Sequence, residues 1–257
     1  MKKAILSFVL IVSSLQLLFS QQNTQNTYPQ GQQIQQTQPY HPVQPAPANP
    51  TKQFPYQFGI RISPNISWMS PSTDAYTSKG TKLGFSFGLA GEYKLSDNYA
   101  FSFGVNSVST GGKMIVTKDV DTLKAKSVTT NYTLRYLEIP FKLKMMTNEI
   151  NKIQYFFEVG MGTNILFRTK GEETYNGITQ SVSINNRITL MKESFLAGIG
   201  AQTRISGNTK VFGGLLYNSG FTNIMKGTDT VTIGSNPKTL TPNAVNSYVE
   251  LNLGILF

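Results

Sequence analysis

Hydrophobic and polar residues alternate along the chain from residue 56 to its end, in eight separate segments. A period of two places successive side chains on opposite faces of a β-strand, whereas a helix would repeat about every 3.6 residues. No segment keeps a helical period. The pattern therefore predicts eight strands, at residues 56–67, 81–95, 99–116, 132–146, 153–168, 190–206, 210–222 and 246–257.

The connections between these segments alternate between short and long. Short polar turns lie at residues 96–98, 147–151 and 207–209. Long polar stretches lie near residues 68–80, 117–131, 169–189 and 223–245. Antiparallel strands that pair with their neighbours in sequence produce this order when every long loop leaves from the same end of the sheet. The fold class is therefore predicted to be all-β, with an eight-stranded antiparallel up-and-down topology.

The segment YLEIPFKLKMM, residues 136–146, shows what the two faces of such a strand contain. Every second residue from Leu137 onward is apolar, and the opposite face carries Glu138, Lys142 and Lys144. In a soluble barrel the apolar face would point inward. In a transmembrane barrel the apolar face would meet lipid and the polar face would fill the lumen. Both architectures fit the alternation by itself.

Three further observations favour the transmembrane barrel, and a soluble ligand-binding barrel remains the alternative. The polar faces are rich in Gly, Ser and Ala, which suit a narrow lumen. The alternating stretches are about ten residues long, the length that a tilted strand needs to cross a bilayer. Aromatic residues mark both ends of the strands, as an interfacial girdle requires. Those near the short-turn end are Tyr56, Tyr93, Tyr99, Tyr155 and Phe257. Those toward the long-loop end are Trp68, Tyr132, Phe167 and Phe221.

Charged residues at inward positions are expected to pair, because an isolated charge is costly to bury in a narrow lumen. The predicted lumen charge network consists of Arg61, Glu92, Glu138, Lys142, Glu158, Arg204 and Glu250. Lys144 is a further inward candidate. Glu138 should meet a basic partner among Arg61, Lys142 and Arg204. Such ion pairs would hold the shape of the barrel without an apolar interior, although any one of these groups could instead reach the rim and be solvated.

The first 55 residues differ in composition from the barrel segments. MKKAILSFVLIVSSLQLLFSQQ begins with two lysines followed by an apolar run, which is typical of a secretory signal peptide over residues 1–20. A membrane anchor helix is the alternative. Residues 21–55 consist mostly of Gln, Pro, Asn and Thr, with Lys52 as their one charged residue. Such a segment buries too little apolar surface to offset its ordering entropy and is expected to be a disordered periplasmic tether.

The chemistry available to the protein is limited by its composition. The chain has 257 residues, a formal charge of +10 and no cysteine, and its one histidine, His41, lies in the predicted tether. Cysteine nucleophiles and histidine-based triads are thereby excluded from the barrel. No phosphate-binding loop or dinucleotide fingerprint is present, and the loop acids match no metal-binding spacing. We therefore predict no catalytic residue, no cofactor and no metal site.

The basic excess points to a membrane partner rather than to nucleic acid. No basic stripe interleaves with aromatic residues, as a nucleic-acid surface would require. The loop cations Lys113, Lys118, Lys124 and Lys126 are expected to meet anionic lipopolysaccharide.

Two stretches carry a family resemblance. RYLEIPFKLKM, residues 135–145, and SYVELNLGILF, residues 247–257, together with the signal peptide, resemble the PorT-like outer-membrane β-barrel proteins of Bacteroidetes-type bacteria. The terminal Phe257 looks like the signal that the outer-membrane insertion machinery reads. The resemblance implies an eight-stranded barrel in the outer membrane. It also implies a link to protein secretion, because the family's named member serves in a secretion apparatus.

Side chains fill the interior of an eight-stranded barrel, so the sequence argues against a general diffusion channel. We expect a non-enzymatic structural or interaction component of the cell envelope, with an accessory role in protein secretion as its more specific form. Envelope or secretion proteins would then be its partners. A small-solute porin is the alternative function. An outer-membrane lipid enzyme is disfavoured, because no histidine lies in the barrel.

Overall fold

The computed structural model describes residues 55–119, 125–233 and 236–257. The predicted signal peptide and all of the predicted tether except Pro55 lie outside these residues. None of the described residues belongs to a helix that is long and apolar enough to span a membrane.

The described residues form twelve strands and one short 3-10 helix. The strands that make up the barrel wall are β1 (Tyr56–Pro71), β3 (Lys82–Lys94), β4 (Tyr99–Asp119), β5 (Ala125–Met146), β6 (Ile153–Tyr175), β8 (Met191–Ser206), β9 (Thr209–Gly220) and β12 (Ala244–Leu256). The remaining elements are β2 (Tyr76–Gly80), β7 (Ile178–Val182), β10 (Asp229–Ile233), β11 (Asn236–Leu240) and the 3-10 helix Asn185–Arg187.

The barrel closes where its first strand meets its last. The wall runs in the order β1, β3, β4, β5, β6, β8, β9 and β12, and β12 returns to β1. All neighbours are antiparallel, and the closing seam runs from Gly59 opposite Leu256 to Pro71 opposite Ala244. The predicted eight-stranded antiparallel barrel is therefore confirmed, and closure leaves the wall without an unpaired edge.

β5 begins seven residues before its predicted segment and β6 ends seven residues after its own, whereas β4 extends its predicted segment by three residues. β4 and β5 pair as far as Asp119 opposite Ala125, and β6 continues to Tyr175. β2 and β7 extend the sheet beside β4 and β6, and β10 pairs with β11 in a separate hairpin. Much of the predicted long-loop sequence is thus strand. The pattern of apolar outward and polar inward residues ends there, because the outward face meets water instead of lipid while inward residues such as Val116 and Val128 are buried.

The tight turn between β5 and β6 shows how the short-turn end is made. Asn151 and Lys152 both have positive φ, 52° and 67°, between Ile150 and Ile153, which form a bridge. Two successive residues with positive φ suit the right-handed twist of a hairpin. The chain therefore reverses direction at this end through a two-residue turn.

The apolar face of each strand lies on the outside of the barrel. Along β1, Ile60 and Ile62 are 54% and 50% exposed, whereas Arg61 between them is 4% exposed. On β5, Leu137 is 38% exposed and Glu138 is fully buried. An apolar exterior around a polar interior is the arrangement of a transmembrane barrel and the reverse of a soluble one.

The interior at the long-loop end is apolar, which corrects the expectation of a lumen without an apolar interior. Inward side chains of four wall strands pack there with residues of two loops. The cluster comprises Met69, Met114, Tyr132, Leu134, Tyr136, Ile184, Ile188, Ile224, Met225 and Ala244. Tyr132 is therefore not part of an exterior aromatic girdle, since it is 3% exposed and packs inside the wall. Burial of this apolar surface stabilises the long-loop end of the barrel.

Candidate functional site

The charged interior is the most elaborate group of polar side chains in the described structure, and it is layered along the barrel. Nearest the short turns, the Lys144 ammonium pairs with Glu92 and donates to Gln202 Oε1 at 2.7 Å. The same ammonium lies 4.2 Å from the centroid of the Phe156 ring. Carboxylate, amide and aromatic face together replace the water that the cation has lost.

Two ion pairs occupy the next layer. Lys142 Nζ lies 2.6 Å from Glu158 Oε1, and both side chains are about 95% buried. Arg61 pairs with Glu250 across the closing seam between β1 and β12. The second oxygen of Glu250 accepts a hydrogen bond of 2.8 Å from Ser86 on β3. These pairs join strands that the backbone ladder already pairs, and they neutralise the charges that the narrow lumen encloses.

Glu138 is placed inside the barrel, but its partners differ from those that the sequence predicts. It forms no ion pair with Arg61, Lys142 or Arg204, and the expectation of a basic partner is wrong. Its Oε1 accepts hydrogen bonds from Tyr248 at 2.7 Å and from Asn218 at 3.0 Å, and its Oε2 accepts one from Asn106 at 3.0 Å. Three neutral donors therefore solvate this carboxylate.

A glycine makes room for one of these donors. A Cβ on Gly88 would lie 2.5 Å from Asn106 Oδ1, too close for any real contact. Gly88 thus leaves space for Asn106, which binds Glu138.

Lys192 is an interior cation that the predicted network omits. It is fully buried, and its ammonium lies 5.6 Å and 5.2 Å from the ring centroids of Tyr136 and Tyr248. Its Nζ also approaches Asn246 Oδ1 at 3.4 Å, and no carboxylate pairs with it among the described residues. The alternation of its segment could have identified it, since Lys192 shares its strand face with the inward Ser194.

Arg204 and Phe257 lie at the short-turn end. Arg204 is exposed and takes part in no ion pair of the described residues, so the prediction that it belongs to the lumen charge network is wrong. The β8–β9 register shifts between Arg204 and Ser206, at the last rungs before the turn, and the side chain reaches solvent there. Phe257 is 59% exposed, and its backbone N–H donates to Phe58 O at 2.8 Å.

Little free space remains among these groups. The interior cavity lined by Arg61, Glu92, Lys142 and Glu158 has a volume of about 20 Å³. A water molecule needs about 10–15 Å³ when space is measured with a probe of its own size. The charged layers can therefore hold isolated waters, and they offer no room for an organic ligand.

The long-loop end is closed by residues that do not belong to the wall. We define the loop plug as Ile184, Ile188, Ile224 and Met225. Its two loop segments bind each other through their backbones, since Thr189 donates to Ile224 O at 2.8 Å. The loop plug packs into the apolar cluster inside the wall and is buried almost completely. Over the described ranges, no group of three or more acidic, histidine or cysteine side chains could hold a metal ion.

A closed wall with an apolar exterior, a charge-paired lumen and short turns at one end defines the class of outer-membrane β-barrels. The sequence profile described as the outer membrane protein beta-barrel domain matches residues 19–226, and the chain belongs to this family. No curated protein matches the chain.

Three solved structures illustrate the likeness of fold. Neisserial surface protein A is 14% identical, with 77% of this chain and 95% of that chain covered and a TM-score of 0.40. Ail, the attachment invasion locus protein of Yersinia pestis, is 14% identical, with coverages of 78% and 98% and a TM-score of 0.34. OprG of Pseudomonas aeruginosa is 10% identical, with coverages of 78% and 95% and a TM-score of 0.43. At these identities the likeness concerns the fold alone.

Proposed function

We propose that this barrel is a non-enzymatic structural or interaction component of the outer membrane, and that it acts through its long-loop end rather than through its lumen. The observation that carries the proposal is the blocked interior. The charged layers leave a cavity of about 20 Å³, and the loop plug lies above them. A solute path through the barrel would have to break buried ion pairs and expel the plug.

The long-loop end offers a rigid surface for a protein partner. Tyr76 of β2 donates a hydrogen bond to Asp229 at the start of β10, and Arg187 Nη1 lies 3.1 Å from Glu173 Oε1. Ser72 donates its backbone N–H to Asn243 O at 2.9 Å, which joins two connections on opposite sides of the closing seam. Connections that are fixed to one another lose little entropy when a partner binds.

An accessory role in protein secretion is the more specific form of this proposal. It is supported by the resemblance of residues 135–145 and 247–257 to PorT-like proteins. Envelope or secretion proteins would then bind at the periplasmic tether or at the long-loop end. Phe257, exposed directly after the last strand, would act during assembly, as the residue that the insertion machinery reads.

Single-channel recording separates this proposal from the small-solute porin. The purified barrel in planar bilayers should give no regular conductance steps. Reproducible ohmic steps from the wild-type protein would overturn the proposal and favour the porin. The control is a variant that lacks residues 229–240, the β10–β11 hairpin. Its lumen should stay closed, so it should also give no regular conductance steps.

Crosslinking in native membranes tests the interaction role. A photoreactive residue at Thr239, which is exposed on β11, should capture a defined envelope protein. The same group at Thr203, near the short turns, is the matched position. Capture at neither position, or only of abundant proteins at both, would count against a partner-binding role.

A further inference from the structure

Five basic side chains gather on the outer face of the barrel at its long-loop end. We define this basic patch as Lys82, Lys113, Arg135, Arg168 and Lys170. The β4–β5–β6 register sets three of its cross-strand rows. They are Ser109–Arg135–Arg168, Gly111–Thr133–Lys170 and Lys113–Asn131–Glu172. Neighbouring strands lie about 4.8 Å apart, and successive outward residues of one strand about 7 Å apart. The backbone positions of the cations in these rows therefore lie within roughly 17 Å of one another.

The patch has a strong excess of positive charge. Lys82 reaches across β4 to Asn131 Oδ1 at 3.4 Å and to the hydroxyl of Thr133. The register places one carboxylate in these rows, that of Glu172, and it pairs with Lys170 at 2.8 Å. No ion pair of the described residues includes Arg135 or Arg168. Two adjacent guanidinium groups therefore face outward without a counterion from these rows.

A groove leads from the patch into the apolar band. It has a volume of about 440 Å³ and is lined by Leu83, Gly84, Phe85, Phe87, Ser107, Ser109 and Arg135. The groove exists because β4 has short side chains here: Ser109 lies opposite Phe85, and Ser107 lies opposite Phe87. The phenylalanines of β3 rise on one side of the serines, and Leu137 and Arg135 of β5 rise on the other.

The groove and the patch meet at the edge of the bilayer. The row just inside the arginines contains Ser107, Leu137 and Ile165, and it belongs to the apolar exterior. The next row outward contains Arg135 and Arg168. In outer-membrane barrels the long loops face outside, so this boundary lies at the headgroups of the outer leaflet. Arginine suits phosphate there, since its planar fork can donate two parallel hydrogen bonds.

We infer that this surface binds one phosphate-bearing lipopolysaccharide molecule of the outer leaflet. Its phosphate lies between Arg135 and Arg168, and one acyl chain lies in the groove over Ser107 and Ser109. Lys82, Lys113 and Lys170 surround the sugar headgroup. The inference rests on the membrane position of the barrel and does not depend on a secretion role.

Binding of a defined lipid tests the site. The full barrel in phosphatidylcholine nanodiscs is titrated with bisphosphorylated lipid A, and bound lipid is counted by native mass spectrometry. Arg135→Gln with Arg168→Gln should weaken binding at least tenfold. The control is Arg204→Gln with Lys152→Gln, which removes two exposed cations at the short-turn end and should leave binding unchanged. Equal weakening by both pairs would overturn the site, because it would show a response to net charge alone.

Two further binding experiments test which parts of the lipid, its phosphates and its acyl chain, the site recognises. Dephosphorylated lipid A should bind the wild type as weakly as lipid A binds the arginine variant, and millimolar inorganic phosphate should not compete. Ser107→Phe with Ser109→Phe fills the groove, keeps all five cations, and should weaken lipid A binding by itself. Undiminished binding to the filled groove would overturn the acyl-chain assignment. Competition by free phosphate would show that the patch binds the anion without the lipid.

Discussion

Tyr248 donates its phenolic hydrogen to Glu138 Oε1 at 2.7 Å, and this hydrogen bond crosses the full width of the barrel. Tyr248 lies on β12 and Glu138 on β5, four strands apart in either direction around the wall. Asn218 of β9 joins both, because its amide donates to Glu138 Oε1 at 3.0 Å and lies 2.9 Å from the Tyr248 hydroxyl. The lumen is therefore braced across its diameter as well as along neighbouring strands.

Glu138→Ala should destabilise the barrel more than Leu137→Ala. Loss of the carboxylate leaves the Tyr248 hydroxyl and the Asn106 amide without their acceptor in a dry interior, whereas Asn218 keeps its bond to Tyr248. Each unsatisfied group costs about 1–3 kcal/mol, so a loss of roughly 2–6 kcal/mol is expected. Leu137 is 38% exposed on the lipid face, and its truncation orphans no polar group. Reversible urea unfolding in detergent micelles can rank the two variants.

Glu138→Gln is the matched control for that comparison. It keeps one acceptor oxygen and the side-chain volume, so it should be less damaging than Glu138→Ala. If Leu137→Ala proves the most harmful of the three variants, the assignment of the outer and inner faces is wrong.

Lys142 and Glu158 should be strongly coupled in a double-mutant cycle. Removal of one member of a buried pair leaves the other charge unpaired and typically costs about 3–5 kcal/mol. Lys142→Met combined with Glu158→Met should therefore be less destabilising than the sum of the two single changes. The exposed pair Lys94 and Asp97 provides a second cycle, which should show little coupling. Additive free energies of unfolding at Lys142 and Glu158 would contradict the buried pair.

Ile224→Ala should loosen the loop plug. Ile224 is fully buried in the apolar cluster at the long-loop end, and such truncations cost about 2–5 kcal/mol. Ile178→Ala is the matched control, because Ile178 is 62% exposed on β7 and should change stability little. Faster hydrogen exchange at Thr189, whose amide binds Ile224 O at 2.8 Å, would report the loosening directly. Equal effects of the two variants would show that the plug is not packed.

Asp97 in the turn between β3 and β4 should titrate below its usual pKa of 3.8. A hydrogen bond from the Lys94 ammonium, at 2.9 Å, and the charge of that ammonium lower the pKa. A lowered pKa in the folded state stabilises the turn above pH 3.8, and that contribution disappears as the pH falls through the folded-state value. NMR titration of the carboxyl carbon measures the shift, and Lys94→Gln should abolish it. An unchanged pKa in Lys94→Gln would refute the assignment.

The closed wall predicts heat-modifiable migration in gels. In SDS without boiling, the continuous strand ladder should keep the barrel folded and alter its mobility. Boiling should convert it to the mobility of an unfolded chain of 28.4 kDa or of its processed form. Identical migration before and after boiling, with solubility in the absence of detergent, would contradict a membrane barrel.

The sequence by itself determined the strands through their alternation and the antiparallel order through the short and long connections. The small residues of the polar faces, the strand lengths and the aromatic ends then indicated which side of each strand meets lipid, because lipid and a narrow lumen require opposite chemistry on the two faces. It placed Arg61, Glu92, Glu138, Lys142, Glu158 and Glu250 inside for the same reason. It could not locate the outer parts of β5 and β6, because the outward face there meets water instead of lipid and the contrast between apolar outward and polar inward residues is lost.

Tertiary structure decided which inward groups meet. Barrel closure brings Tyr248 to Glu138 across 110 residues of sequence, and strand stagger pairs Lys144 with Glu92 two strands away. Arg204 has the inward parity, but it ends its strand beside a register shift and reaches solvent. Ile184 and Ile224 lie in polar stretches that predict loops. They become interior only because the closed wall offers an apolar space that these two connections are long enough to enter.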